Sequence, residues 1–525
     1  MTVAVTREKS QPGMVTSPNP LATEAGAEVI KSGGTAIEAA IAIGSVLTVV
    51  TPHFCGLGGD AVWLVADQHG KSHCFLGIGQ AGEATSAIRN QPIPLRGPAS
   101  MLTTACVVDC WDHALTFSRE NWFGTRSLPA LLERAMDLAA NGYEPSKSQD
   151  FWLDFRSGET TNWHGFSQYF DHRNTTGLFK QPGLADSFAA LMAEGARSFY
   201  EGKLSKRIVE GLKAAGSCLT AADLARTRTR DVSPLTLDYR GTILVAPPPP
   251  TQGMTTLAIM GILNHMRMAS APKGSAERYH LLVEAVKRAF MDRAHVSDPA
   301  SMSWNPKDLL ATERLRAAAD TIDLDQALVW PHQHQHGDTV FFSAVDKQGR
   351  CASVLQSTYF DWGSGIVVGD TGILWQNRGA AFSTQPGHPN CIAPGKLPFY
   401  TLNPGLALRQ GRPFLTYGTQ GADGQPQTLA VLLTALLDDK LTPAEALEQP
   451  RFLLGKTFSD ARDSLKVEGM MSDECVEQLA GRGHDLARLA AFSPIFGQAG
   501  ALLFDTDRTP SAAHDPRGEG CAWIE

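Results

Sequence analysis

The pattern of apolar and polar positions is sharpest past the middle of the chain, where a polar segment runs into a short apolar one. Residues 331–338 are rich in His and Gln, and residues 340–345 form an apolar run of strand length. Turn-forming residues follow at 346–349, and a second strand-like run covers 351–356. Two such runs on either side of a short turn predict a β-hairpin.

Elsewhere the spacing of apolar residues changes repeatedly between helical and extended periods. Residues 14–17 and 61–66 are predicted strands, whereas 20–32 and 36–49 are predicted helices. Further helices are predicted at 127–141, 184–195, 254–266, 279–293, 428–437 and 442–448. The chain is therefore predicted to mix helices and strands along its whole length.

A threonine, Thr339, opens the first strand of the predicted hairpin. A polar segment that leads straight into a buried strand is unusual in an intact chain, but it is understandable if the bond between Asp338 and Thr339 is cut. Thr339 would then carry a free α-amine, which titrates near neutral pH and can take the proton when the hydroxyl attacks. The simpler alternative is an ordinary threonine that begins an ordinary strand, and this segment alone leaves both readings open.

Composition narrows the class of protein. The chain has 525 residues, 43% of them apolar and 19% charged, with a formal net charge of −8. These values indicate a large globular protein and argue against a nucleic-acid partner. The nine cysteines include one close pair, Cys106 and Cys110, without a second pair at metal-binding spacing. Buried free thiols, as in a reducing compartment, are therefore expected.

The start of the chain and its longest apolar stretch bear on location. Residues 1–13 are polar and do not resemble a secretory signal. The stretch 36–50 is interrupted by Glu38 and is predicted to be a buried helix rather than a membrane span. We therefore expect a cytoplasmic protein that has no membrane partner.

A glycine-rich segment, residues 52–60, directly precedes the predicted strand 61–66. It is not typical of a phosphate-binding loop, because no Lys-Ser/Thr follows and the next element is a strand rather than a helix. Small residues at such a place let the backbone approach another backbone or a ligand.

The sequence Asp-Thr-Val-Phe-Phe-Ser-Ala-Val-Asp at 338–346 resembles the start of the small subunit in the γ-glutamyltransferase family, which belongs to the N-terminal-nucleophile hydrolases. Other stretches resemble landmarks of the same family: 52–60, 198–202, 219–224, 247–253, 363–367 and 515–522. The resemblance implies an α+β fold, a four-layer αββα sandwich, in a precursor that cuts itself before Thr339. The fragments 1–338 and 339–525 would stay together as a heterodimer, and a dimer of these units is a further option.

Resemblance and local pattern together suggest the groups that would assist Thr339. Gly421 and Ala422 precede a predicted helix, where successive backbone N–H groups can form an anion-binding nest. The family has two adjacent glycines there, and alanine keeps its N–H, so we expect the nest to survive if the φ angle of residue 422 is negative. Thr358 is a candidate to hold the hydroxyl or amine of Thr339, the alternative being a strand-facing threonine. With base and oxyanion roles filled, neither metal nor cofactor is expected.

The chain departs from the glutathione-acting members of the family at two places. Those members bind the substrate α-carboxylate with an arginine where this chain has Gln80, and the α-ammonium with an acidic residue where it has Ala380 or Ala381. A neutral amide cannot replace the bidentate clamp of a guanidinium, and Gln80 has the alternative of being only a turn residue. Arg378 stands nearby, so it could meet a carboxylate; its alternative is a structural ion pair.

Tyr400 and Thr401 occupy the places of paired serines in the glutathione enzymes. Tyr400 would narrow the pocket, which favours a small or flat acyl group. Three hypotheses follow: hydrolysis of a small carboxylate-bearing amide such as oxamate, which some relatives cleave; γ-glutamyl transfer or glutathione hydrolysis with binding groups supplied from elsewhere; and a binding protein that is never processed.

Overall fold

The computed structural model describes residues 11–88, 91–170, 177–330, 338–456, 462–505 and 507–525. The polar segment 331–337, named above, lies outside the described residues. The strands are β1 (Met14–Ser17), β2 (Asp60–Ala66), β3 (Ser72–Gly77), β4 (Arg230–Val232), β5 (Leu235–Tyr239), β6 (Thr242–Ala246), β7 (Asp338–Val345), β8 (Cys351–Tyr359), β9 (Gly405–Arg409), β10 (Arg412–Thr419), β11 (Phe452–Gly455), β12 (Ser464–Glu468), β13 (Leu486–Leu489), β14 (Ala499–Leu503), β15 (Ser511–His514) and β16 (Cys521–Ile524).

The α-helices are α1 (Pro20–Lys31), α2 (Ala36–Val50), α3 (Val107–Trp122), α4 (Leu128–Asn141), α5 (Lys147–Phe155), α6 (Ser157–Thr160), α7 (Phe166–Phe170), α8 (Pro182–Glu194), α9 (Ser198–Glu201), α10 (Lys203–Ala214), α11 (Ala221–Ala225), α12 (Gly253–Asn264), α13 (Ala276–Arg293), α14 (Pro306–Leu309), α15 (Thr312–Asp320), α16 (Gln425–Leu437), α17 (Pro443–Leu447) and α18 (Asp473–Gly481). Short 3₁₀ helices occur at Glu83–Ala87, Pro98–Ser100, Met268–Ser270, Pro299–Ser301, Arg378–Ala381, Ala422–Gly424 and Pro494–Phe496. The helices predicted from the apolar spacing are confirmed, with ends that shift by a few residues.

Two large sheets form the centre of the molecule. Within the described residues, one sheet has the strand order β16-β1-β7-β8-β2-β3-β4 and the other has the order β15-β14-β10-β9-β6-β5. A small third sheet, β11-β12-β13, lies apart from these two. Each large sheet takes strands from both sides of position 338, so the predicted fragments 1–338 and 339–525 would be interleaved rather than separate globules.

The side chains of a strand point alternately to its two faces, and this alternation produces the layers of the fold. In β7, Val340 and Phe342 belong to the core that contains α1, α2, α3, α4 and α8, whereas Phe341 belongs to a core shared with residues of β6, β9 and β14. A third core joins the six-stranded sheet to α12, α13 and α16. Because side chains alternate between the two faces of a strand, these cores stack as helices, sheet, sheet and helices. The predicted four-layer αββα arrangement is confirmed.

The predicted hairpin forms as expected, with Val345 opposite Cys351 and Phe342 opposite Val354. At the open end of the hairpin the register is irregular. Asp338 pairs with Tyr359 and Val340 with Gln356, so one residue of β7 faces two residues of β8. Such a bulge bends a strand and redirects its side chains, and it falls at Thr339.

The first and last strands of the described chain are neighbours. Strand β1 lies between β16 and β7, with Met14 opposite Ile524 on one side and opposite Val345 on the other. The N–H of Glu525 also donates to the carbonyl of Gly13 at 3.0 Å. The two ends of the described chain therefore meet beside the strand that carries Thr339.

Thr220 and Asp223 form a capping box at the start of α11, which gives Asp223 a structural role. All nine cysteines are free thiols as expected, but only six are buried, and Cys218, Cys391 and Cys521 are partly exposed. In the described part of the chain, no helix combines the length and the apolarity that a bilayer crossing requires.

Candidate active site

Thr339 lies at the second residue of β7 and is fully buried. It occupies the bulge, opposite Ser357 and Thr358 of β8. Among the described residues, its hydroxyl has no hydrogen-bond partner. Buried hydroxyl groups are normally hydrogen-bonded, so the unpartnered hydroxyl in this bulge is compatible with the predicted nucleophile, a role that stays a prediction.

The end of β10 approaches the start of β7 across the two sheets. The Ser343 hydroxyl accepts a hydrogen bond from Thr416 at 3.0 Å, and an added Cβ on Gly418 would come within 2.2 Å of the Phe341 ring. A step along β7 from Ser343 to Phe341, toward its first residue, therefore corresponds to a step along β10 from Thr416 to Gly418, toward its last residue. Extending this alignment by two residues along each strand predicts that Thr339 lies beside the residues that follow Thr419, among them Gly421 and Ala422.

Hydrogen bonds inside the loop at Gly421 and Ala422 constrain the directions of the two N–H groups of these residues. The carbonyl of Gln420 accepts a hydrogen bond from the Thr419 hydroxyl at 2.8 Å, and the carbonyl of Gly421 accepts from the N–H of Gly424 at 2.7 Å. Because a trans peptide directs N–H and C=O oppositely, the N–H groups of Gly421 and Ala422 point away from these internal bonds. Within the described residues neither N–H has an acceptor, as a nest for an anion requires.

The backbone of residue 422 differs from the expectation. Ala422 has a φ angle of +42° and Gly421 one of +114°, so both residues lie in the left-handed region. Ala422 keeps its N–H. However, the nest is expected to survive if the φ angle of residue 422 is negative, and this condition is not met. Alanine avoids this region unless surrounding bonds hold it there, because its Cβ crowds the following carbonyl.

Arg378 is the most unusual charged residue in the molecule. It is 0% exposed, and none of its three guanidinium nitrogens has a hydrogen-bond partner in the described part of the chain. The guanidinium carbon lies 3.9 Å from the ring centroid of Tyr359 and 4.0 Å from that of Tyr400. The two rings stabilise the charge from its faces and leave its edge of N–H donors unused. The alternative of a structural ion pair therefore has no support among these contacts.

Tyr359 contacts Arg378 and lies next to the start of the strand that carries Thr339. Its backbone pairs with Asp338, next to Thr339, and its φ angle of +87° is unusual for an aromatic residue. Burial raises the pKa of its phenol to about 12. Tyr359 therefore keeps its proton, and its ring acts as a neutral wall between the strand end and the guanidinium.

Asp60 holds the second ring. Its Oδ2 accepts a hydrogen bond from the Tyr400 hydroxyl, and its Oδ1 accepts from the N–H groups of Gly79 and Cys106 at 3.0 and 2.9 Å. Burial raises the pKa of Asp60 to about 6, although the Tyr400 bond and the charge of Arg378 act in the opposite direction. Sequence reasoning missed Asp60; its position at the end of the glycine-rich segment was the available signal.

Thr401 follows Tyr400 and is buried, with a hydroxyl that has no partner among the described residues. Its carbonyl accepts from Nε2 of Gln252 at 2.7 Å, and the same Nε2 donates to the carbonyl of Ala422 at 2.7 Å. Sequence reasoning also missed Gln252, since the proline-rich loop before it indicated only a stiff connection. Contacts thus run without a break from the Thr339 strand end through Arg378 and Tyr400 to the nest.

Two residues proposed from the sequence have other partners in this structure. The Thr358 hydroxyl donates to the carbonyl of Phe54 at 3.3 Å and not to Thr339, although Thr358 lies opposite it in the bulge. Nε2 of Gln80 donates to the carbonyl of Asp223 at 3.1 Å and to the Thr227 hydroxyl at 3.3 Å. These bonds favour a structural part for Gln80, and the roles of both residues stay predictions.

One buried group of side chains has the composition of a metal site. Donor atoms of His280, Glu284 and His484 lie within 4.8 Å of one another. However, Glu284 is already paired with Lys287 at 2.7 Å and with Arg288, and two adjacent cations disfavour a third. Burial and the charge of Lys287 also lower the pKa of His484 to about 3. The group is better explained as a network that anchors the carbonyl of Asp323 and the backbone of Leu328.

Comparison with known proteins agrees with this geometry. A family model described as Gamma-glutamyltranspeptidase matches residues 22–524. The chain is 40% identical over 523 residues to the oxamate amidohydrolase proenzyme of Klebsiella pneumoniae subsp. pneumoniae, covering 97% of this chain and 98% of the relative. It is 36% identical over 518 residues to the glutathione hydrolase-like YwrD proenzyme of Bacillus subtilis, covering 97% and 98%.

A solved structure of cephalosporin acylase from Bacillus halodurans is similar over the whole chain, with a TM-score of 0.89 and 29% identity, covering 100% of this chain and 98% of that one. The resemblance found at residues 338–346 is thereby confirmed. This chain belongs to the gamma-glutamyltranspeptidase family of N-terminal-nucleophile hydrolases, and it is an enzyme of the amidohydrolase or acyltransferase kind.

Proposed function

We propose that this enzyme hydrolyses small, flat amides that carry a carboxylate and no α-amine, oxamate being the simplest case, through an acyl-enzyme on Thr339. The observation that carries the proposal is the buried Arg378, whose donors lie between two aromatic rings and have no partner among the described residues. An unpaired cation costs several kcal/mol to bury unless an anion joins it, roughly as for a broken buried pair. A carboxylate matches the fork of the guanidinium with two parallel hydrogen bonds.

The surroundings of Arg378 support the absence of an amine in the substrate. Ala380 and Ala381 follow it in the same 3₁₀ helix and offer no acid for an α-ammonium. Asp60, the nearby carboxylate, is occupied by Tyr400 and two backbone N–H groups. The relative that is 40% identical is named for oxamate, a carboxylate-bearing amide without an amine.

The reaction needs only protein groups. The Thr339 hydroxyl oxygen attacks the amide carbonyl, and its proton passes to the α-amine of the same residue. The N–H groups of Gly421 and Ala422 stabilise the oxyanion, the C–N bond breaks, and ammonia leaves with the proton. Water then attacks the ester by the same route, which releases the second carboxylate and restores Thr339.

The free amine would arise by self-cleavage. The Thr339 hydroxyl attacks the carbonyl of Asp338, the peptide becomes an ester, and water opens it to give the fragments 1–338 and 339–525. The relatives named as proenzymes support such a step. The fragments would stay together as a heterodimer, because strands of both lie next to each other in the same sheets. The free state of all nine thiols supports a cytoplasmic location.

The decisive experiment compares substrates and nucleophile variants. Ammonia release from oxamate is measured beside turnover of a γ-glutamyl anilide, for the parent, Thr339→Ala and Thr339→Ser. We expect the parent to prefer oxamate, Thr339→Ser to keep part of the activity, and Thr339→Ala to have none and to stay a single chain by intact mass. Appreciable γ-glutamyl turnover with none of oxamate would refute the proposed substrate class, and an uncut parent would favour the binding-protein hypothesis.

A further inference from the structure

The loop that carries Gly421 and Ala422 is held in its unusual conformation by a residue from another part of the chain. Gln252 lies directly before α12 and is fully buried. Its Nε2 donates to the carbonyl of Ala422 at 2.7 Å and to that of Thr401 at 2.7 Å. Its own N–H donates to the carbonyl of Tyr400 at 2.9 Å. One side chain therefore connects the nest with the wall of the Arg378 pocket.

The orientation of the Gln252 amide is itself fixed. Nε of Arg293 donates to Oε1 of Gln252 at 3.1 Å, so the NH₂ group must point toward the two carbonyls. Arg293 also pairs with Asp423, the residue after Ala422. The stack of Arg293 on the Phe399 ring, 4.8 Å from the centroid, keeps the guanidinium in place. The amide thus has one arrangement that satisfies every partner.

The bond from Gln252 restrains the carbonyl of Ala422. The peptide before Ala422 is fixed by the bond from the Gly424 N–H to the Gly421 carbonyl, and the peptide after it is fixed by Gln252. Fixing both peptides holds φ at +42°, where alanine alone would not stay. The bond from the Gly424 N–H sets the direction of the Ala422 N–H, and Gln252 stabilises the conformation of residue 422 in which that bond forms.

We infer that Gln252 is a positioning residue for the oxyanion-binding nest: its carboxamide holds the Ala422 carbonyl, stabilises the turn from Gly421 to Gly424 and thereby keeps the Ala422 N–H in the direction that the nest requires. The inference rests on the proposed function, since it assumes turnover on Thr339. It also assigns part of the oxyanion site to the fragment 1–338, because Gln252 and Arg293 precede the cut and the nest follows it.

The test uses Gln252→Met, which keeps the length but cannot donate, and Gln252→Glu, which keeps the shape and the Arg293 bond. Gln181→Met is the matched control, because Gln181 is also buried and its Nε2 donates to the Val49 carbonyl at 2.8 Å, remote from the nest. All rates are measured on oxamate and divided by the amount of cut chain, determined by intact mass. Thermal midpoints are recorded for every variant.

We expect both Gln252 variants to lose about 10²-fold in kcat with KM within about threefold, since an oxyanion donor acts on the transition state and Arg378 still binds the carboxylate. Gln181→Met should lose thermal stability and keep its kcat. An unchanged kcat, a change confined to KM, or Gln252 variants that stay uncut while Gln181→Met is cut would overturn the inference. A parent without turnover on any amide would instead show that the proposed function itself is wrong.

Discussion

Two sets of buried arginines in this molecule have opposite surroundings. Arg451 and Arg517, near the six-stranded sheet, share Asp515, with Arg451 at 2.6 Å and Arg517 at 3.1 Å. Arg517 also pairs with Glu468 at 2.5 Å and donates to the Leu447 carbonyl at 2.7 Å. Arg378 is equally buried but has two aromatic rings and no hydrogen-bond acceptor among the described residues.

The contrast separates an architectural charge from one that, in the proposed function, binds the substrate. Asp515 has its pKa lowered against the effect of burial, first by Arg451 and then by Arg517, so both carboxylates and both guanidinium groups are satisfied within the protein. Around Arg378 the described residues supply ring faces and no hydrogen-bond acceptor, so the cation is stabilised without use of its N–H groups. The unused hydrogen-bonding capacity of Arg378 is what an incoming carboxylate would take up.

The largest effect should come from breaking the satisfied cluster. Arg517→Met leaves Glu468 and Asp515 without their shared cation, and we expect the free energy of unfolding to fall by about 5 kcal/mol, as when one partner of a buried pair is removed. Urea unfolding in a Thr339→Ala background, which keeps the chain whole, measures it. A loss below about 1 kcal/mol would contradict the architectural reading of this cluster.

Arg378→Met should change activity rather than stability. We expect kcat/KM for oxamate to fall about 10³-fold, equal to about 4 kcal/mol, because the substrate carboxylate would be buried without its partner. The free energy of unfolding should stay the same or rise, since an unpaired charge is removed. A marked loss of stability with oxamate turnover intact would erase the difference between the two sets of arginines.

Asp60 is a buried carboxylate whose pKa depends on its surroundings, including the charge of Arg378. Because its pKa is raised to about 6 in the fold from an unfolded value of 3.8, the folded protein binds more protons between these pH values. The stabilisation by protonated Asp60 is therefore complete below pH 3.8 and lost as the pH rises through about 6, a change of about 3 kcal/mol. The free energy of unfolding is measured with urea between pH 4 and 7. Asp60→Asn should abolish the part of its pH dependence that comes from Asp60, and an unaltered pH dependence would contradict the raised pKa of Asp60.

The smallest effect concerns the ring that Asp60 holds. Tyr400→Phe keeps the aromatic face over Arg378 but removes the hydroxyl that donates to Asp60. We expect KM for oxamate to rise about fivefold, corresponding to about 1 kcal/mol for one lost hydrogen bond, with kcat little changed. Tyr169→Phe, at an exposed hydroxyl that donates to the Gly369 carbonyl, is the control and should leave KM unchanged.

Elements with a clear local period could be predicted from the sequence. The hairpin of β7 and β8 and the helices each depend on residues close together in the chain. The resemblance at 338–346 supplied the layer arrangement and the family, which the periods alone could not. Arg378 could be singled out because it is close in sequence to Ala380 and Ala381, where glutathione-acting members of the family have an acidic residue.

The setting of these residues could not be predicted, because it depends on contacts between distant segments. The sandwich around Arg378 joins Tyr359, at the end of β8, with Tyr400 from the loop before β9, and Tyr359 takes a backbone conformation that its residue type does not favour. The positive φ of Ala422 has the same origin, since the bond from Gln252 comes from another part of the chain. Local preferences for alanine pointed to the opposite sign.

The pairing of β1 with β16 has a consequence for the order of segments in the gene. Since Glu525 bonds to Gly13, a short linker from 525 to 11 would span the gap without moving any strand. A circularly permuted chain could then begin at Thr339, continue through 525 into 11 and end near 330. Such a protein would have the α-amine of Thr339 from the moment of synthesis, once the initiator methionine is removed. In this permutant, chain initiation would replace the proposed self-cleavage.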